Sequence, residues 1–249
     1  MAVSIKTRGL IVNEALMGEQ DKRLVILCVD KGRISAIAKG AKKPGGKLAS
    51  QAQLFYYCDF MLEQSKGFWM VREASIIESF YGLRKDIEAL AWASWMAETA
   101  QVLTVEGEEC NDLLKLLIRG LKMVTEPQLS AKMTAVTFVL RALAENGLQP
   151  EVDRCVQCGA SLGIEPSLSA MAGGALCPEC TKRFIDSIRM NAGGMYTLRH
   201  ILSVPPETVY KFNATEEIQE SLFQFATRFL HNYVQKDMAS LEFLKNCQV

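Results

Sequence analysis

The sequence predicts an α+β multidomain chain: a five-stranded β-barrel over residues 1–80, then an α-helical bundle domain over 81–249 carrying a four-cysteine zinc knuckle at about 150–190. Three observations predict it. Short β-branched and aromatic segments bounded by turn formers fill the first 80 residues, and after Tyr81 the hydrophobic period changes from two to about 3.6. Two close pairs, Cys155-Val-Gln-Cys158 and Cys177-Pro-Glu-Cys180, stand eighteen residues apart in a Gly- and Pro-containing stretch.

In chain order, strands are expected at about 4–17, 22–30, 32–39, 54–63 and 68–77. Turns are expected at Gly18-Glu-Gln-Asp21, at the hairpin signal Lys31-Gly32, in a long 40–53 loop and at Ser65-Lys66-Gly67. Five such strands can close into a barrel of the oligonucleotide-binding (OB) type, and a five-stranded SH3-like barrel gives the same pattern. A helix over 83–103 has apolar residues on two faces, which predicts Trp92 and Trp95 in a bundle core. Leu113, Leu117, Leu121 and Val124 mark a second helix. Ser130 caps a third, along Met133, Val136, Leu140 and Leu143, which ends at Asn146-Gly147. Beyond the cysteine pairs, helical period is expected at 182–190 and 194–202. Asn213 and Glu216 are expected to open a last long helix along Ile218, Leu222, Phe225 and Phe229.

Composition restricts function further. At 249 residues, 49% apolar and 22% charged, the chain has ordinary globular arithmetic, which excludes collagenous and disordered readings. The start lacks the pattern of a signal peptide and no long apolar run follows, so a cytoplasmic protein is expected. Net charge is zero, yet residues 1–50 hold ten basic residues against four acids. Between Lys31 and Lys47 lie six positive charges and no acid, a stretch that attracts polyanions. Arg8, Arg33, Lys39, Lys42, Lys43 and Lys47 are therefore candidates for phosphate contacts. Phe55, beside Tyr56 and Tyr57, is a candidate to stack on a base, with core packing as its competing role.

The cysteine pairs predict one structural zinc ion held by Cys155, Cys158, Cys177 and Cys180. Two Cys-x-x-Cys turns supply four thiolates and leave no open coordination position for catalysis. Cys28, Cys58, Cys110 and Cys247 have no near partner and read as small buried hydrophobes or idle thiols. His200 and His231 lie far from any acidic pattern of a protease site, and Gly40-Ala-Lys-Lys-Pro-Gly-Gly-Lys-Leu48 departs from phosphate-loop spacing.

Thr7-Arg-Gly-Leu-Ile-Val12, the Gly18 turn and above all Gly32-Arg-Ile-Ser-Ala-Ile-Ala-Lys-Gly-Ala-Lys-Lys43 resemble the barrel signature of the RecO family of recombination mediators. Ser79-Phe-Tyr-Gly-Leu-Arg-Lys-Asp86 resembles the entry to that family's helical domain. The knuckle follows Gly147-Leu-Gln-Pro150, and the tail from Phe229 through Tyr233 to Ser240-Leu-Glu-Phe-Leu244 is similar to the family's C-terminal helix. The resemblance implies an OB-fold barrel, a zinc knuckle that many members keep, and no enzymatic activity. It implies binding of single- and double-stranded DNA and annealing of complementary strands coated by single-strand binding protein. It further implies work with RecR and in some members RecF so that RecA loads, in the cytoplasm at the nucleoid. Members hold the acidic, apolar tail of single-strand binding protein in the helical domain, for which Lys115, Arg119, Lys122 and Arg141 are the candidates here. A zinc-knuckle OB-fold scaffold that binds RNA or a protein is the alternative.

Overall fold

A computed structural model describes residues 3–126 and 128–247. Alternating burial dictates the first part. In β2 (Asp21–Cys28) and β3 (Gly32–Ala38) every second side chain is buried, so each strand has an inner and an outer face. Together with β1 (Val3–Met17), β4 (Tyr57–Ser65) and β5 (Phe68–Glu78) they close a barrel in the order β1-β2-β3-β5-β4. The closure pairs β3 with β5 in parallel, Ala36 to Trp69 and Ile37 to Met70, which is the OB rather than the SH3-like arrangement. Gly32, at φ 64 in the β2–β3 turn, lies so close to the backbone of Glu108 that a Cβ there would collide with it.

The strand expected from residue 54 begins at Tyr57. Phe55 adopts a left-handed conformation at φ 66, so Leu54–Tyr56 meet β1 through Phe55 N to Ile11 O (2.9 Å) and Ile11 N to Tyr56 O (3.0 Å) without continuing the alternation. The helix expected over 83–103 is also divided. A 3₁₀ turn (Tyr81–Lys85) precedes α1 (Ile87–Leu103), because the extended Asp86 accepts the Glu88 and Ala89 N–H groups as an N-cap.

Helices α2 (Asn111–Met123) and α3 (Ala131–Glu145) follow, with Ser130 accepting from Met133 N as expected and Gly147 in the left-handed region at the other end of α3. The knuckle forms a three-stranded sheet, β7-β6-β8, from β6 (Ser167–Ser169), β7 (Gly174–Leu176) and β8 (Ile188–Arg189), with the single turn α4 (Pro178–Thr181) after β7. Helical period at 182–190 is thus corrected: β8 pairs with β6 there. Asn191 caps α5 (Ala192–Ser203) through Gly194 N. The last long helix, α6 (Glu216–Val234), has Thr215 rather than Asn213 at its N-cap. The tail breaks at the left-handed Gln235 before α7 (Ala239–Cys247).

Two cores result. The barrel interior holds Ile11, Leu24, Ile26, Ile34, Phe60 and Leu62. The second runs through the bundle, around Trp92 and Trp95 against Phe223 at 5.3 and 5.5 Å, and continues onto the outer surface of the barrel through Leu10, Val12, Leu27 and Phe55. Among the described residues no helix is long and apolar enough to cross a membrane.

Candidate nucleic-acid interface and metal centre

The basic run lies on a plug rather than in an open loop. After β3 the chain makes successive tight turns, Lys43 N to Gly40 O, Gly46 N to Lys43 O and Ala49 N to Gly46 O, while Ala41, Leu48 and Ala52 enter the barrel core. Its start is tied to the β1–β2 turn, where Asp21 Oδ1 accepts from Gly40 N at 2.8 Å and Gln20 O from Lys42 N at 2.9 Å. Its end is held by Lys22, which faces inward and donates to Ala52 O at 2.9 Å and to Glu14 Oε2 at 3.0 Å; Leu54 N donates to the same carboxylate oxygen at 3.2 Å. This leaves Lys39, Lys42, Lys43 and Lys47 exposed on a surface fixed at both ends. Lys47 reaches Glu73 on β5 at 3.1 Å. Arg8 is exposed on β1, in register with Asp59, and shares with Lys6, Asp59 and Glu73 a shallow depression on the β1–β4–β5 face.

Two candidates take other roles. Phe55 is 2% exposed, its ring turned by the left-handed backbone into the core between barrel and bundle, so it is not available to stack on a base. Arg33 is half-buried and donates to Gln101 O at 2.8 Å, satisfying a carbonyl in the last turn of α1.

In the bundle, Arg141 is spent on structure as well, donating to Ile201 O and Leu202 O at 3.2 and 2.7 Å and to Glu145 at 2.9 Å. Lys115 pairs with Asp112 one turn away. Arg119 and Lys122 instead border a groove of about 740 Å³ with Met123, Tyr210, Lys211 and Phe212, where Glu207 accepts from Arg119 at 3.0 Å. Lys211 was not singled out in the sequence because it follows Pro205-Pro206 in an irregular segment with no period to place it. Burial keeps the Tyr210 hydroxyl protonated, and it donates to Leu116 O at 3.3 Å.

The four cysteine sulfurs converge, all within 4.8 Å of one another. Bonds of about 2.3 Å to a tetrahedral ion require sulfurs about 3.8 Å apart, and Cys158 and Cys177 stand at 3.8 Å. The local sequence builds each turn. Gly159, at φ 74, lets its N–H return to Cys155 O at 2.8 Å, and Pro178 starts α4 directly after Cys177. Burial opposes ionisation of Cys155, but backbone N–H groups of Cys177, Cys158 and Gln157 favour its thiolate and bring it to about 6. The donor set therefore fits a closed, four-coordinate metal centre. The thiols of Cys28 and Cys58, pushed by burial up to about 12, are inert core groups.

A closed OB barrel with a basic plug, packed on a helical bundle that carries a four-cysteine knuckle, is the class of protein that fold and sites define. The family described as Recombination protein O N terminal matches residues 1–80, and that described as Recombination protein O C terminal matches 84–242. The chain belongs to the RecO family. It is similar to DNA repair protein RecO of Acetivibrio thermocellus, 29% identical over 97% of this chain and 96% of that one. It is also similar to those of Alkaliphilus metalliredigens (29%, covering 97% and 98%) and Clostridium perfringens strain 13 (30%, covering 97% and 97%). Membership gives the chain a role in DNA repair and recombination.

Proposed function

We propose that this chain is a non-enzymatic recombination mediator of the cytoplasm and nucleoid. It binds single- and double-stranded DNA, anneals complementary strands, and with RecR and RecF helps displace single-strand binding protein so that RecA loads. The observation that carries the reading is the plug. Lys39, Lys42, Lys43 and Lys47 project from turns fixed at both ends, so a phosphate backbone meets a prearranged row of cations and releases its counterions. Neutralising two backbones at such a surface lowers the repulsion that opposes pairing and needs no nucleotide. The division of labour follows residues 1–80 and 81–249, with nucleic acid on the barrel and partner protein on the bundle.

The groove between Arg119, Lys122 and Lys211 suits the tail of single-strand binding protein. An apolar floor from Met123, Tyr210 and Phe212 accepts an aromatic ring, and the cations take carboxylates. The knuckle holds one zinc ion through Cys155, Cys158, Cys177 and Cys180, and the ion supplies folding energy rather than chemistry.

The test is duplex formation, without ATP, from complementary strands precoated with cognate single-strand binding protein. The expected result is faster annealing with this protein than without it. A protein that binds DNA in a titration yet neither anneals coated strands nor binds the tail peptide overturns the mediator reading in favour of a scaffold.

A further inference from the structure

The outer surface of the barrel is unevenly covered. The bundle sits over β1 and β2, where Leu10, Val12, Val25 and Leu27 join its core. Further round, Ile37 on β3 pairs with Arg23 on β2 and with Met70 on β5, and Met70 pairs with Glu63 on β4. Cross-strand partners share a face, so these four side chains form one transverse row. The intervening residues Ile34, Ala36, Ala38, Leu62 and Val71 point into the barrel core, which puts the row outside. Phe68, two residues before Met70, lies on the same side and is 65% exposed. Ile37, Met70 and Phe68 belong to neither core.

The charge around this strip is positive. Alternation along β3 sets Ser35 and Ile37 on one side, and the exposed Lys39 follows directly after the strand's end at the start of the basic plug, while the exposed Arg23 ends the row on β2. The acid in the row, Glu63, is held by Arg72 through bonds of 2.7 and 3.0 Å, which lower its pKa and cancel its charge locally. An apolar strip with an exposed aromatic ring, bordered by cations and continuous with a phosphate-binding surface, is complementary to an unpaired strand with its bases turned inward.

We propose that Phe68, supported by Ile37 and Met70, is a stacking platform for the bases of single-stranded nucleic acid whose phosphates run along Arg23, Lys39 and the plug. This rests on the reading that the barrel binds nucleic acid. Stacking on one ring is indifferent to base identity, as a protein that handles any sequence requires. The strip holds unpaired bases and offers nothing to a duplex, whose bases are already stacked, so it distinguishes the two forms of DNA.

The experiment measures binding of the full chain to oligothymidine and to an abasic strand of equal length by fluorescence anisotropy, with Phe68→Ala, Phe68→Trp and a Lys39→Ala/Lys42→Ala/Lys43→Ala variant. Phe68→Ala is expected to lose about tenfold in affinity for oligothymidine and to erase the wild type's preference for it over the abasic strand. Phe68→Trp should hold the affinity, with its indole quenched on binding. Equal oligothymidine affinity for Phe68→Ala and wild type overturns the platform, including the case in which the variant loses a protein partner instead. If the lysine variant alone is weakened, the nucleic-acid reading stands and the stacking site falls; if wild type binds neither strand, the reading beneath it falls.

Discussion

Lys22 shows how far a residue's contribution departs from its formal charge. It counts as one of the ten cations of the first 50 residues, but its side chain is 10% exposed and its ammonium is shared between Glu14 and the Ala52 carbonyl. It therefore adds nothing to the outer field and instead joins three chain segments at one end of the barrel. Removing one member of such a pair leaves the other uncompensated. Lys22→Met is expected to destabilise the fold by about 2 kcal/mol, the partial exposure of Glu14 reducing the figure for a fully buried pair. Adding Glu14→Gln should recover part of the loss; chemical denaturation of the single and double variants checks both. The sequence could not place this lysine, because Lys22 precedes the alternating apolar residues of β2 and its inward direction follows from strand register. Phe55 was obscure for a similar reason. An aromatic residue beside two tyrosines in a basic region suits both base stacking and core packing, and the positive φ that turns the ring inward decides for the core.

The elements were legible wherever period and cap agreed. The five strands, the Ser130 cap and the left-handed Gly147 follow directly from residue pattern, and the cysteine spacing marks the four residues whose sulfurs converge. The knuckle's own structure was not legible, since strands of two and three residues are too short to display a period. The tail was missed where it breaks, because left-handed Gln235 is neither glycine nor asparagine. The knuckle's own elements are slight, for β6 and β7 are joined by one turn and α4 is a single turn, and it is anchored by Leu168, Ala175, Leu176 and Met190 in the bundle core. Metal analysis of the purified protein is expected to find about one zinc per chain. Cys155→Ser or exhaustive chelation should lower the melting temperature and expose the 150–190 segment to protease; zinc-free protein of unchanged stability would contradict this.

At the scale of the molecule, zero net charge conceals a polar distribution. Residues 1–50 carry an excess of six positive charges and the remainder an equal negative excess, and four of those cations, Lys39, Lys42, Lys43 and Lys47, are exposed on the plug. Such a cluster draws an approaching phosphate backbone toward the plug. Replacing Lys39, Lys42 and Lys43 by Ala is expected to flatten the log–log salt dependence of single-strand binding by about 2, at roughly 0.7 per lost phosphate contact. A titration series in increasing salt measures the slope, and an unchanged slope would remove these lysines from the interface. The sequence disclosed the polarity but not its exits, because which side of a barrel stays open depends on where the next helices land. They land on Leu10, Val12 and Leu27, and that shared core has a consequence during synthesis. The barrel's strands leave the ribosome first with this apolar floor bare, and it stays bare until α1 and α2, which end at Leu103 and Met123, arrive to roof it. The nascent chain thus passes through an interval of adhesiveness, and a ribosome that stalls shortly after Glu78 would release a fragment destined for chaperones or precipitation rather than a working half.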